Sequence, residues 1–233
     1  MQSAEGEDLT RRLVTQTAIW LAITGAILFL SAGTLNWPEA WIFLGIWLAG
    51  GLTSGLSLAR TNPEIVKERM RSPLQQDQKP WDRPLILAIF GGWALLHVVA
   101  GLDAKRFEWS DMPIALEVLG AIAIFFAIYL FHIVMRENAY ASAVVKIDAG
   151  RGHKVISTGP YAWVRHPMYA GAIFYFLGTA LLLGSWYAFV FGLVLIAVIA
   201  FRAVREEHML AAELPGYADY ARRVKYRLVP GVW

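Results

Sequence analysis

The 233-residue chain contains no cysteine. Disulfides, thiolate nucleophiles and cysteine-ligated zinc are therefore excluded, while the compartment stays open. Charge is also scarce: Asp, Glu, Lys and Arg make up 17% of the residues, against about a quarter in a typical soluble domain. The net charge of +3 is too small to name a partner. No strand-like run leads into G-x-G-x-x-G, and Gly150-x-Gly152 alone is not that dinucleotide fingerprint. Internal repeats and low-complexity stretches are missing. The acidic, polar segment Met1–Thr10 is followed by an apolar block longer than a signal-peptide core. No small-residue cleavage site follows that block, so it reads as a retained first span.

What is plentiful is apolar side chain, 57% of the total, gathered into blocks at about 13–33, 37–59, 84–102, 112–135, 168–184 and 186–201. About 20 apolar residues cross a hydrocarbon core of roughly 30 Å. The expected architecture is all-α: a polytopic transmembrane bundle of about six membrane-embedded helices. Asn36-Trp37-Pro38 predicts a tight interfacial turn, and Pro84 and Pro113 mark helix starts. The last two blocks flank Gly184-Ser185-Trp186 and are short, giving either two spans or a shallow helical hairpin. Glu64–Arg71 predicts a short helix on the membrane surface. Gly51 and Gly55 form a small-xxx-small pair suited to close helix packing.

Loop charge orients these blocks. With six crossings and an inside N-terminus, all of the 21 Lys and Arg except Lys105 and Arg106 fall on the cytoplasmic side. Both termini are then expected in the cytoplasm. The chain divides by content into N-terminal transmembrane helices, 1–135, and a C-terminal region, 136–233, with a helical hairpin and a polar tail.

Within the blocks, His97 and His132 are read as hydrogen-bonded bundle residues, and Glu117 as reaching the interface. The polar features concentrate after residue 136. The two final apolar helices are joined by three residues and must be antiparallel neighbours. That connectivity sets Arg165-His166-Pro167, which opens one helix, beside Arg202–Glu207, which ends the other. Arg202 and Glu206 are spaced i,i+4, and Glu207 sits about 100° around the helix from Glu206. An arginine fork there suits a carboxylate, and a glutamate suits a cationic or zwitterionic ligand. Tyr161, Trp163 and Tyr169 are candidates to stack on a purine or face a cation. The plain alternative is an Arg202–Glu206 salt bridge worth a few tenths of a kcal/mol.

Three stretches in order settle that balance: Gly159-Pro160-Tyr161-Ala162-Trp163-Val164-Arg165-His166-Pro167-Met168-Tyr169-Ala170-Gly171, then R-x-x-x-E-E-x-x-L from Arg202 to Leu210, then Y-x-x-Y-x-x-x-V from Tyr217 to Val224. Together they resemble the isoprenylcysteine carboxyl methyltransferase family, which is related to the membrane phospholipid N-methyltransferases. The resemblance is specific from Asn138 to Pro230, about 40% of the chain. It implies a cytosolic S-adenosylmethionine pocket formed by the C-terminal third, with Arg165, His166, Pro167 and Tyr169 lining it. It also implies that Gly159, Pro160 and Tyr161 shape the entrance. Arg202, Glu206 and Glu207 would sit where cofactor and substrate head group meet, as catalytic residues, with Glu206 also touching the cofactor. The implied substrate is a lipid-like or prenylated carboxylate entering from the bilayer among membrane lipids. Neither metal nor nucleic acid is expected. Alternatives are a phospholipid N-methyltransferase, an NADPH-dependent reductase of the sterol type, and a non-catalytic membrane scaffold.

Overall fold

The computed structural model describes residues 2–233 and contains no β-strand among them. In chain order the helices are α1 (Gln2–Ala32), α2 (Pro38–Thr61), α3 (Pro63–Arg69), α4 (Asp82–Gly101), α5 (Ile114–Glu137), α6 (Pro167–Leu182), α7 (Trp186–Glu213) and α8 (Tyr217–Arg223). Each of the six apolar blocks is a helix. Pro38, Pro63 and Pro167 occupy first-turn positions, where the missing N–H costs nothing. A π-helical turn, Leu102–Arg106, continues α4.

Among the described residues, five helices are long and apolar enough to cross a membrane: α1, α2, α4 with its π turn, α5 and α7. The chain is an integral membrane protein. The sixth, α6, has only 16 residues, or about 24 Å of helix. Its partner α7 has 28 residues, about 42 Å, so its last turns continue past a 30 Å core and carry Arg202–Glu207 toward water. The short helix expected at Glu64–Arg71 is α3, which buries Ile65, Val66 and Glu68.

Small residues set the closest crossings. A Cβ on Gly120 of α5 would lie 2.4 Å from the Leu182 backbone N and 2.6 Å from the Gly178 carbonyl, so α5 and α6 pack backbone to backbone. Of the Gly51/Gly55 pair only Gly55 marks a close approach: a Cβ there would meet Leu13 of α1 at 2.8 Å, whereas one on Gly51 would meet nothing nearer than Thr17 at 3.8 Å. His97 Nδ1 bonds the Trp93 carbonyl and His132 Nδ1 bonds Ser54 Oγ, as expected of bundle histidines.

The bundle has two unlike ends. At one, Asp103 Oδ2 accepts from Ser110 and Ser185, tying the end of α4 to the α6–α7 turn, and Ser185 also caps α7 through the Ala188 N–H. Lys105 lies beside Glu39, and Arg106 donates to the Leu30 carbonyl. At the other end, α3, the segment 70–81, the segment 138–166, the end of α7 and α8 build a polar cap.

Candidate functional site

The cap is held by two buried ionic networks. In the first, Arg202 presents its fork to Asp82: Nε to Oδ1 at 2.7 Å and Nη2 to Oδ2 at 3.1 Å. Asp82 is fully buried and Arg202 is 5% exposed. Asp82 Oδ2 also accepts from Gln78 and the Val145 N–H, and Arg202 Nη2 donates to the Ala143 carbonyl. This corrects one expectation. Sequence spacing set Arg202 against Glu206, but the partner is 120 residues away on α4, and the fork expected to be open to a ligand is closed. Beside it, Glu68 accepts from Lys146, Ser142 and Arg71. Burial alone would raise the Glu68 carboxyl, but those donors outweigh it and hold it at about 2.

The second network centres on Glu207. Arg165 grips it through Nε (2.6 Å) and Nη2 (3.2 Å), Arg227 through Nε (2.8 Å), and His166 Nε2 lies at 3.2 Å. Arg165 also donates to the carbonyls of Val224 and Lys225, while the backbone N–H groups of Arg165 and His166 bond Tyr226 and Arg227. Glu207 thus clamps the start of α6 to the tail. The antiparallel hairpin brings these motifs together as connectivity requires.

Glu206 differs. Its Oε2 accepts from the Tyr169 hydroxyl at 2.6 Å and lies 4.0 Å from His166 Nδ1, and it faces a polar cavity of about 110 Å³. His166 stacks on Tyr169 at 5.3 Å with 7° between the rings. Tyr161, Arg165, His166, Tyr169 and Glu206, all singled out from sequence, line this cavity. Gly159, Pro160, Pro167, Arg202 and Glu207 do not. Gly159 takes φ +55° and Pro160 starts a 3-10 turn that delivers Tyr161. Trp163, a candidate for stacking, is 73% exposed and lies off the cavity.

The cavity wall also carries residues that motif reading missed: Arg69 from α3, Lys146 from the 138–158 segment, and Tyr217 with Tyr220 from α8. Tyr217 and Tyr220 were noted only as spacing in the tail. Burial pushes the Tyr161 phenol up to about 12 and raises Tyr217 and Tyr220 as well, so all three remain protonated donors near neutral pH. Tyr220 donates to the Tyr161 carbonyl, whereas the buried Tyr217 hydroxyl has no partner. A buried, unsatisfied hydroxyl in a cavity wall is costly unless a ligand accepts from it.

A second cavity, of about 560 Å³, lies within the helices. Its walls are mostly apolar residues of α1, α2, α4, α5 and α6, with Ile65, Val66 and Met70 from the cap end. That volume is in the range of small-molecule sites. Arg69 lines both cavities.

The phospholipid methyltransferase family model matches residues 116–214. A protein-S-isoprenylcysteine O-methyltransferase of Saccharomyces cerevisiae is 34% identical over 82 residues, 35% of this chain and 34% of the relative. The nickel-cobalt-cadmium resistance protein NccN of Alcaligenes xylosoxydans xylosoxydans is 25% identical over 151 residues, 62% of this chain and 66% of the relative. The chain thus spans about a third of the length of the isoprenylcysteine relatives it matches. Among solved structures, the eukaryotic intramembrane Ras methyltransferase ICMT (isoprenylcysteine carboxyl methyltransferase) superposes with a TM-score of 0.52 at 18% identity. That match covers 93% of this chain and 75% of the other, so the likeness in fold includes the N-terminal spans.

Proposed function

We propose that this chain, whose residues 116–214 match the phospholipid methyltransferase family model and which is similar to a protein-S-isoprenylcysteine O-methyltransferase, transfers a methyl group from S-adenosylmethionine to a carboxylate on a lipid-like or prenylated substrate. The observation that carries this reading is the junction of two unlike cavities: a polar one lined by Tyr161, His166, Tyr169 and Glu206 adjoins an apolar one at Arg69. A methyl transfer to a lipid needs that pairing, a polar pocket for the donor beside an apolar one for the acceptor's tail.

The donor set suits S-adenosylmethionine. Glu206 offers a carboxylate to an ammonium group, the orphan Tyr217 hydroxyl offers a donor, and the His166–Tyr169 stack offers a flat face to a purine. At about 110 Å³ the polar cavity is smaller than typical ligand pockets, so binding goes with outward movement of segment 138–158, which holds only one short 3-10 turn. Bound there, S-adenosylmethionine would supply a methyl carbon that is already electrophilic. The chain's own task is alignment and exclusion of water. A carboxylate nucleophile needs no base. Glu206 therefore holds the donor's amino acid portion, Glu207 fixes the Arg165-His166 wall, and Arg202 keeps Tyr169 in place, its guanidinium 5.5 Å from that ring. Residues 1–135 hold the lipid tail and 136–233 carry the donor. The polar cap and both termini lie in the cytoplasm, and the tail enters laterally from the bilayer near Trp20, which lines the apolar cavity.

The test is incubation of the purified protein with labelled S-adenosylmethionine and a membrane lipid extract, followed by identification of the labelled product. A base-labile methyl ester supports the reading; no labelled product overturns it. The second reading, phospholipid N-methylation, rests on Glu206, a carboxylate in the cavity wall able to take a proton. It predicts a base-stable product and a rate climbing between pH 6 and 9. An O-methylation rate stays nearly flat there, because the carboxylate is already ionised.

A further inference from the structure

The cations lining the polar cavity are not equivalent. Lys146 is matched by Glu68 and Asp77 at 2.9 and 3.0 Å. Arg165 is matched by Glu207, and Lys154 is exposed to water. Arg69 is different: its Nε and Nη2 are shut off from solvent and have no hydrogen-bond partner. Its neighbour in sequence, Glu68, points away into the Lys146 network. A guanidinium has five donors and cannot shed its charge, so two buried, unmet donors on one edge are a standing energetic penalty. Folding does not relieve it among the described residues. An anion in the cavity would.

Position makes that anion specific. Arg69 is at the end of α3, with Ile65, Val66 and Met70 beside it on the apolar side and Tyr161, Tyr169 and Glu206 across the polar side. The buried edge Nε–Nη2 is the edge that grips a carboxylate with two parallel bonds. Arg202, the arginine that motif spacing favoured for this task, has given the same edge to Asp82. We propose that Arg69 is the residue that binds the acceptor's carboxylate, holding it at the cavity junction with the apolar tail behind it and the methyl donor in front. This deepens the carboxylate reading above and rests on it. It also separates the acceptor from the donor: Glu206 repels a carboxylate, so the acceptor is drawn to the Arg69 side while the donor's ammonium group is drawn to Glu206.

The experiment uses the full chain in detergent or nanodiscs, with two binding probes: a farnesylated cysteine derivative bearing a free carboxylate, and its neutral amide. Wild-type protein is expected to bind the carboxylate at least tenfold tighter than the amide. Arg69→Met should erase that preference, leave S-adenosylmethionine affinity unchanged and melt no lower than wild type, since the removed charge had no partner. Arg69→Lys, which keeps charge but not the fork, should recover only part of the preference. If wild type discriminates and Arg69→Met still does, Arg69 is not the anion site and the carboxylate reading survives without it. Wild type that binds the two probes equally, or neither, overturns the carboxylate reading and this assignment together. An Arg69→Met variant that loses donor affinity or unfolds would make Arg69 a structural residue; Arg69→Gln, with its polar, uncharged side chain, then checks discrimination in a folded protein.

Discussion

Replacing Asp82 by alanine tests whether the cap is held by its buried ion pair. The carboxylate is fully buried and meets four donors: Arg202 twice, Gln78 and the Val145 N–H. Removing it leaves a guanidinium that is 5% exposed with only the Ala143 carbonyl, and leaves the Gln78 amide and Val145 N–H unmet. Breaking one side of a buried pair typically costs about 3–5 kcal/mol, because the remaining charge stays desolvated. For a chain of this size that corresponds to a melting temperature lower by roughly 10 °C. The double variant Asp82→Leu with Arg202→Met buries no charge and should recover most of the loss. Arg202→Lys keeps the charge but not the fork, and should lose about 1–2 kcal/mol. The assay is thermal unfolding of the purified protein in one detergent, for Asp82→Ala, for the single variants Asp82→Leu and Arg202→Met, and for the double that combines those two. If Asp82→Ala melts within a degree of wild type, or if the single effects simply add in the double, the pair does not hold the cap and Arg202 is free to act on ligand.

Glu68 gives a pH signature. Its folded carboxyl sits at about 2 against an ordinary 4.5, so its ionisation favours the folded state above pH 4.5, and that contribution is lost as pH falls from 4.5 toward 2; Glu68→Gln should flatten this acid limb of a stability-versus-pH curve, and an unchanged limb would remove Glu68 as its source. Gly120→Ala puts a Cβ 2.4 Å from the Leu182 backbone N, which cannot move without separating α5 from α6, so a loss of about 2 kcal/mol or more is expected in detergent unfolding. At Gly51 a Cβ would meet nothing nearer than 3.8 Å, so Gly51→Leu should fold and fill part of the apolar cavity; KM for a long-tailed acceptor should rise while donor affinity holds, and an unchanged KM would place the tail elsewhere. Hydrogen exchange in segment 138–158 should slow when S-adenosylmethionine is added, and no change there would argue against binding in the polar cavity.

The apolar blocks, their helical form and the pairing of the 159–171 motif with the Arg202–Glu207 motif were legible because each depends on short-range rules. A run of 20 apolar residues must satisfy its own backbone in lipid, and a three-residue turn forces two helices to be neighbours. That adjacency set the two motifs side by side, and the family resemblance singled out Tyr161, Arg165, His166, Tyr169 and Glu206 within them, residues that line one cavity in the structure. Which glutamate faces the cavity did not follow. Glu206 and Glu207 are adjacent in sequence, and only the tail's return with Arg227 decides that Glu207 is buried in a clamp. The partner of Arg202 was equally hidden, since Asp82 lies 120 residues away and opens a different helix. Arg69 read as one more loop cation under the positive-inside count. A charge's role depends on which acceptors surround it, and acceptors drawn from α4, α7 and the 138–158 segment are brought together only by the tertiary fold.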